Sequence, residues 1–80
     1  RIFLRERLYR EARVVEMAER GKRIVRGLFG YFLERPQEMP DYFSARTAAE
    51  PGAFAVRDYV AGMTDRFAET TFRQVTGREP

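Results

Sequence analysis

The strongest constraint on this chain is an apolar rhythm of three and four residues that runs from about Arg13 to Arg35 without a proline. Val14, Met17 with Ala18, Gly21, Ile24 with Val25, Leu28 with Phe29, and Phe32 with Leu33 share one side of a 3.6-residue repeat. That period predicts an amphipathic helix over residues 13–35. Gly21, Gly27 and Gly30 interrupt the run. Each mid-helix glycine costs about 1 kcal/mol relative to alanine, so packing rather than propensity must hold the helix. Small residues on such a helix mark close crossings with a neighbour. Leu28, Phe29, Tyr31, Phe32 and Leu33 make its end apolar almost all round, which predicts burial on more than one side.

The remaining chain is also read as helical. Residues 1–9, with Ile2, Phe3, Leu4 and Leu8, predict a short N-terminal helix. Isolated helices below about 12–15 residues are marginal in water, so this one needs support from elsewhere. Pro36 stops the long helix, and a Pro-Gln-Glu-Met-Pro loop follows, with Asp41 placed to cap a turn holding Tyr42 and Phe43. Residues 44–52 read as a loop. A last helix is predicted over residues 53–76, with Gly77 as its C-cap. The expected fold is all-α: one small domain over residues 1–80, with a short helix and two long helices packed antiparallel across the proline loop.

Composition narrows the function classes. Eighty residues are close to the lower limit for a single self-sufficient core, though seven Phe and four Tyr supply one. The chain has no cysteine, hence no disulfide or thiolate metal site, which fits a reducing cytoplasm. No apolar run approaches the roughly 20 residues of a membrane span. The chain opens at Arg1 inside a helical pattern and reads as a piece of a longer protein. There is no histidine, so no His-dependent base or His metal ligand lies in it.

Charge is uneven. Residues 1–26 carry nine Lys or Arg against four Glu, whereas residues 27–80 carry six against eight acids. Fourteen of the fifteen cations are arginine, suited to bidentate contacts with phosphate or carboxylate. A basic groove for nucleic acid is one reading of Arg1, Arg5, Arg20, Lys22, Arg23 and Arg26. Glu16 with Arg20 and Glu19 with Arg23 form four-residue helix pairs, however, and such interspersed charge argues against nucleic acid and for a solvated or subunit-facing helix.

Within the last predicted helix, Val56, Tyr59, Val60, Met63 and Phe67 form an apolar stripe, while Asp58, Gly62, Asp65 and Glu69 share another face. A mid-helix glycine among three carboxylates predicts a close approach at Gly62.

The run Asp58-Tyr59-Val60-Ala61-Gly62-Met63-Thr64-Asp65-Arg66-Phe67-Ala68 resembles the DYIAGMTDRYA stretch of bacterial deoxynucleoside triphosphate triphosphohydrolases, the dGTPase family of the HD superfamily. It departs at Val60, for isoleucine, and at Phe67, for tyrosine. Phe3-Leu4-Arg5-Glu6-Arg7-Leu8-Tyr9-Arg10, followed by Arg13-Val14-Val15, resembles the segment that opens the same C-terminal region. Together the two stretches span nearly the whole chain.

The resemblance implies the C-terminal, phosphohydrolase-associated helical domain of a cytoplasmic enzyme. That enzyme would release triphosphate and a deoxynucleoside from a deoxynucleoside triphosphate, using a divalent metal, Mg or Mn, held by an upstream histidine–aspartate domain. It would commonly be a homo-oligomer. No catalytic residue or metal ligand falls in this segment.

Candidate residues for supporting a nucleotide pocket are Tyr59, Asp65, Arg66, Asp58 and Gly62. Tyr59 either packs in the core with its hydroxyl on a neighbour or stacks on a base or sugar. Arg66 reaches from the same edge toward phosphate. Asp65 either pairs with an arginine of the long helix or fixes a group that shapes the pocket. On one helix Asp58 and Asp65 stand roughly 10 Å apart along the axis, too far to share a proton or a metal. The alternative from another class is a stand-alone helical module binding protein or nucleic acid.

Overall fold

The computed structural model describes the backbone of residues 2–80 and the side chains from Glu16 onward. Among the described residues there is no strand, and the chain is all-α. Its first element is α1, Ile2–Glu34, a single helix of 33 residues. The expected short helix over 1–9 and long helix from 13 are therefore one. The connecting residues Arg10, Glu11 and Ala12 are good helix formers with no glycine or proline to break them. The apolar grouping of Ile2, Phe3, Leu4 and Leu8 concerns side chains outside those described. At about 1.5 Å per residue α1 runs about 50 Å, which accounts for most of the molecule's 58 Å long axis.

Pro36 ends α1 and opens a 3-10 turn, Pro36–Glu38, whose following residue Met39 is buried in the core. A six-residue helix, α2, spans Asp41–Arg46. Pro40, rather than Asp41, is its N-cap, and no side chain caps it. Phe43 turns back onto the core while Tyr42 is 70% exposed. Turns at residues 47–51 lead into α3, Gly52–Ala61.

The main departure from the expected fold comes next. The predicted helix over residues 53–76 is two helices, α3 and α4, with α4 at Asp65–Thr76. Gly62 is the C-cap of α3, with φ −83° and ψ −5°. Thr64 then swings to an extended ψ of 160°, and its hydroxyl oxygen accepts the Phe67 amide hydrogen at 3.1 Å. A threonine N-cap followed by an acidic first residue stabilises a new helix start, satisfying an orphan amide and complementing the helix dipole. Replacing Thr64 with alanine should cost about 1 kcal/mol, read as a lower denaturation midpoint with an unchanged α3. At the far end, Gly77 closes α4 in the left-handed region at φ 68°, donating to the Arg73 carbonyl at 2.9 Å.

The core forms where three helices meet. Ile24, Leu28 and Phe32 from α1, spaced four apart, pack with Met39, with Ala55 and Val56 from α3, and with Phe72 from α4. The break between α3 and α4 splits the expected stripe. Val56 is fully buried, Tyr59, Val60 and Met63 are half-buried, and Phe67 is 51% exposed. α4 instead buries the Phe72 edge of its surface, with Ala68 and Val75 partly covered beside it.

Of the glycines expected to mark close approaches, Gly27 does so within the described residues, whereas Gly21, Gly30 and Gly62 do not. A Cβ at Gly62 meets only the carbonyls of Asp58 and Tyr59, at 3.5 and 3.7 Å, an ordinary contact. A Cβ at Gly27 would lie 2.5 Å from Cε2 of Phe72. The crossing of α1 and α4 thus depends on Gly27.

Candidate functional site

Aromatic side chains from α1, α2 and α3 meet around Tyr59, edge to face from α1 and tilted from α2. Its ring centroid lies 5.2 Å from that of Phe32, at 81°, and 5.1 Å from that of Phe43, at 44°. Tyr31 extends the chain of rings on one side and Tyr42 on the other, at 5.2 and 5.0 Å. Such pairs add about 0.5–1.5 kcal/mol beyond the area they bury. Burial pushes the Tyr59 phenol above its ordinary pKa, so it stays protonated across the physiological range.

Beside Tyr59 lies an open groove of about 310 Å³, lined by Phe43, Tyr59, Gly62, Met63, Thr64 and Phe67. It exists because the chain breaks between α3 and α4. A continuous helix would carry Met63 and Phe67 around with Tyr59, whereas the bend at Gly62–Thr64 spreads them as separate walls. The lining holds no charged residue. It can take the apolar face of a base or sugar, or a partner side chain, and has no means of its own to hold a triphosphate.

The structure brings together only two of the five predicted site residues, Tyr59 and Gly62. Asp58 is turned to α2. Arg46 donates to its Oδ2 from Nη2 at 2.8 Å, and Arg57 donates to its Oδ1 from Nε at 3.1 Å. Arg46 also reaches Glu50 through Nε at 2.8 Å. The Arg46 guanidinium, and Arg57 after it, hold the Asp58 carboxyl below its usual pKa.

Asp65 opens α4 and lines a second groove, against α1. Its expected pairing with an arginine of the long helix falls instead to Glu69, 3.5 Å from Arg20. Arg66 is exposed on α4, and Asp58 and Asp65 belong to different helices. Phe43 is read from the sequence only as part of a turn after the proline loop; its place beside Tyr59 in the groove wall follows from α2 packing against α3, which no local pattern encodes.

The Asp58 pair has a testable pH dependence. A carboxyl whose folded pKa is depressed favours the folded state when ionised. Its contribution is present above the ordinary carboxylate value, about pH 4, and fades as pH falls through the lower folded value. Asp58→Asn should therefore destabilise the protein at pH 7. The difference from wild type should shrink as pH falls from about 5 to about 2, followed by urea midpoints.

A divalent ion does not fit these residues. The sequence has no histidine or cysteine, Asp58 is committed to two arginines, and among the described residues no three acidic side chains cluster. Among the described residues no helix is long and apolar enough to cross a membrane.

Comparison with known proteins places the chain. A family model described as the phosphohydrolase-associated domain matches residues 1–74. A relative from Leptospira interrogans is 42% identical over 73 residues, covering 91% of this chain and 19% of its own. One from Bordetella pertussis is 46% identical over 74 residues, covering 91% of this chain and 19% of its own. One from Azorhizobium caulinodans is 46% identical over 67 residues, covering 82% and 17%. Each of the three is described as a deoxyguanosinetriphosphate triphosphohydrolase-like protein. The chain thus spans about a fifth of the length of the curated relatives it matches. No solved structure matches it. With the family model covering nearly all of it, the chain belongs to the phosphohydrolase-associated domain family.

Proposed function

We propose that this segment is the helical associated domain of a longer, cytoplasmic, metal-dependent deoxynucleoside triphosphate triphosphohydrolase. The enzyme releases triphosphate and a deoxynucleoside, and this segment supports its nucleotide pocket and its oligomer interface. The observation that carries the reading is identity of 42–46% across 91% of the chain with relatives named for that activity. In this reading the metal and the hydrolytic chemistry belong to the rest of the polypeptide, which the lack of His and Cys in this sequence supports.

The role assigned here is apolar. Tyr59, Phe43 and Phe67 offer ring faces to a base or sugar, or to an aromatic side chain of the catalytic domain that itself touches one. Phosphate recognition must come from elsewhere, since no cation lines this groove. Arg66, exposed beside Phe67, is the nearest cation in sequence to the groove lining.

The test uses the full-length protein. Incubation with each deoxynucleoside triphosphate and Mg or Mn should yield inorganic tripolyphosphate and free deoxynucleoside, and a chelator should abolish both. Absence of product, with and without a second nucleotide as activator, overturns the reading.

A further inference from the structure

The three glycines of α1 differ in what the chain asks of them. Gly27 is required by the Phe72 ring, but a Cβ at Gly21 meets nothing within 4 Å. Among the described residues nothing explains a glycine there, where alanine is the better helix former. One turn to either side, Met17 is 66% exposed and Val25 51% exposed. Across from them stand Asp65, Ala68 and Glu69 of α4, and the space between is an open groove of about 200 Å³. Gly21 and Ala68 give it small residues where another backbone can come close. Glu69 is engaged by Arg20 at 3.5 Å, while Asp65 makes no ion pair among the described residues.

We infer that this α1–α4 groove seats an α-helix from the remainder of the longer polypeptide. A helix crossing at Gly21 can approach to the short end of the usual 8–10 Å range, with Met17 and Val25 packing on either side of its ridge. The carboxylate of Asp65, in no ion pair among the described residues, selects a helix that carries a Lys or Arg at that rim. The source of the helix follows from length. The chain matches 19% of relatives such as that from Bordetella pertussis, so most of their sequence is available to cover a face left open here. The inference rests on the proposed membership of a longer enzyme.

Methionine footprinting of the full-length protein with hydrogen peroxide tests it without reference to activity. The 80 residues hold three methionines, and Met39, 3% exposed, serves as the internal buried standard. Met17 should oxidise about tenfold or more slowly in the folded protein than in the same protein unfolded in urea, as protection by packing requires. Gly21→Leu, for which this chain leaves room, should restore most of the Met17 rate while Met39 stays slow. Met17 oxidising at its unfolded rate in the wild type overturns the inference. So does protection that survives Gly21→Leu, or protection that disappears on dilution, which assigns the face to a second copy. Loss of triphosphohydrolase activity with Met17 still protected refutes the proposed function but leaves the docked helix standing.

Discussion

Leu28→Ala should destabilise the domain by about 3 kcal/mol, within the 2–5 kcal/mol range for truncating a buried leucine. Leu28 is fully buried at the centre of the contact among α1, α3 and α4, and shares that complete burial with Val56. A cavity there cannot collapse easily, because α1 is a continuous rod and the neighbouring rings of Phe32 and Phe72 are held from other sides. For a domain of this size 1 kcal/mol moves the melting midpoint by about 4–8 °C, so the expected shift is about 12–24 °C downward. Thermal unfolding followed by circular dichroism reads it directly. A loss below about 1 kcal/mol would mean that the core relaxes around the missing atoms.

Gly27→Leu should be comparably damaging for the opposite reason. Its Cβ alone would stand 2.5 Å from the Phe72 ring, and the added side chain has to displace that ring from the core. Overpacking of this kind costs about 1–3 kcal/mol, and loss of a buried phenylalanine's contacts adds to it, so about 3 kcal/mol is expected. The control is Gly30→Ala in the same helix. Nothing lies within 4 Å of a Cβ at Gly30, and the substitution should stabilise by up to about 1 kcal/mol. Two glycines three residues apart are thus expected to respond with opposite sign in urea denaturation. Equal responses would refute the Phe72 contact.

The helical class and the α1 core were legible in the sequence because periodicity reports directly which face of a long helix seeks cover. Ile24, Leu28 and Phe32 recur every four residues, and all three are buried. Gly77 was legible as a helix end for the same local reason, since a glycine after the last periodic residue supplies the left-handed conformation.

The break inside the Asp58–Ala68 run was misread even though its signal was present. Apolar spacing carries smoothly from Tyr59 through Met63 to Phe67, and it outweighed the capping pattern of a glycine followed by Thr-Asp. The hydroxyl of Thr64 and the negative charge of Asp65 favour a new start over continuation, and the bend then spreads the groove walls apart.

Other features depend on contacts between residues far apart in the chain, which no local pattern encodes. Phe72 against Gly27, Phe43 against Tyr59, and Arg46 against Asp58 are of this kind. The sequence by itself determined the all-α class and the buried face of the long helix. Only the tertiary structure decided which glycine is crowded, which carboxylate is neutralised and where an apolar groove opens. Each of those turns on the relative placement of two elements, whereas periodicity describes one element at a time.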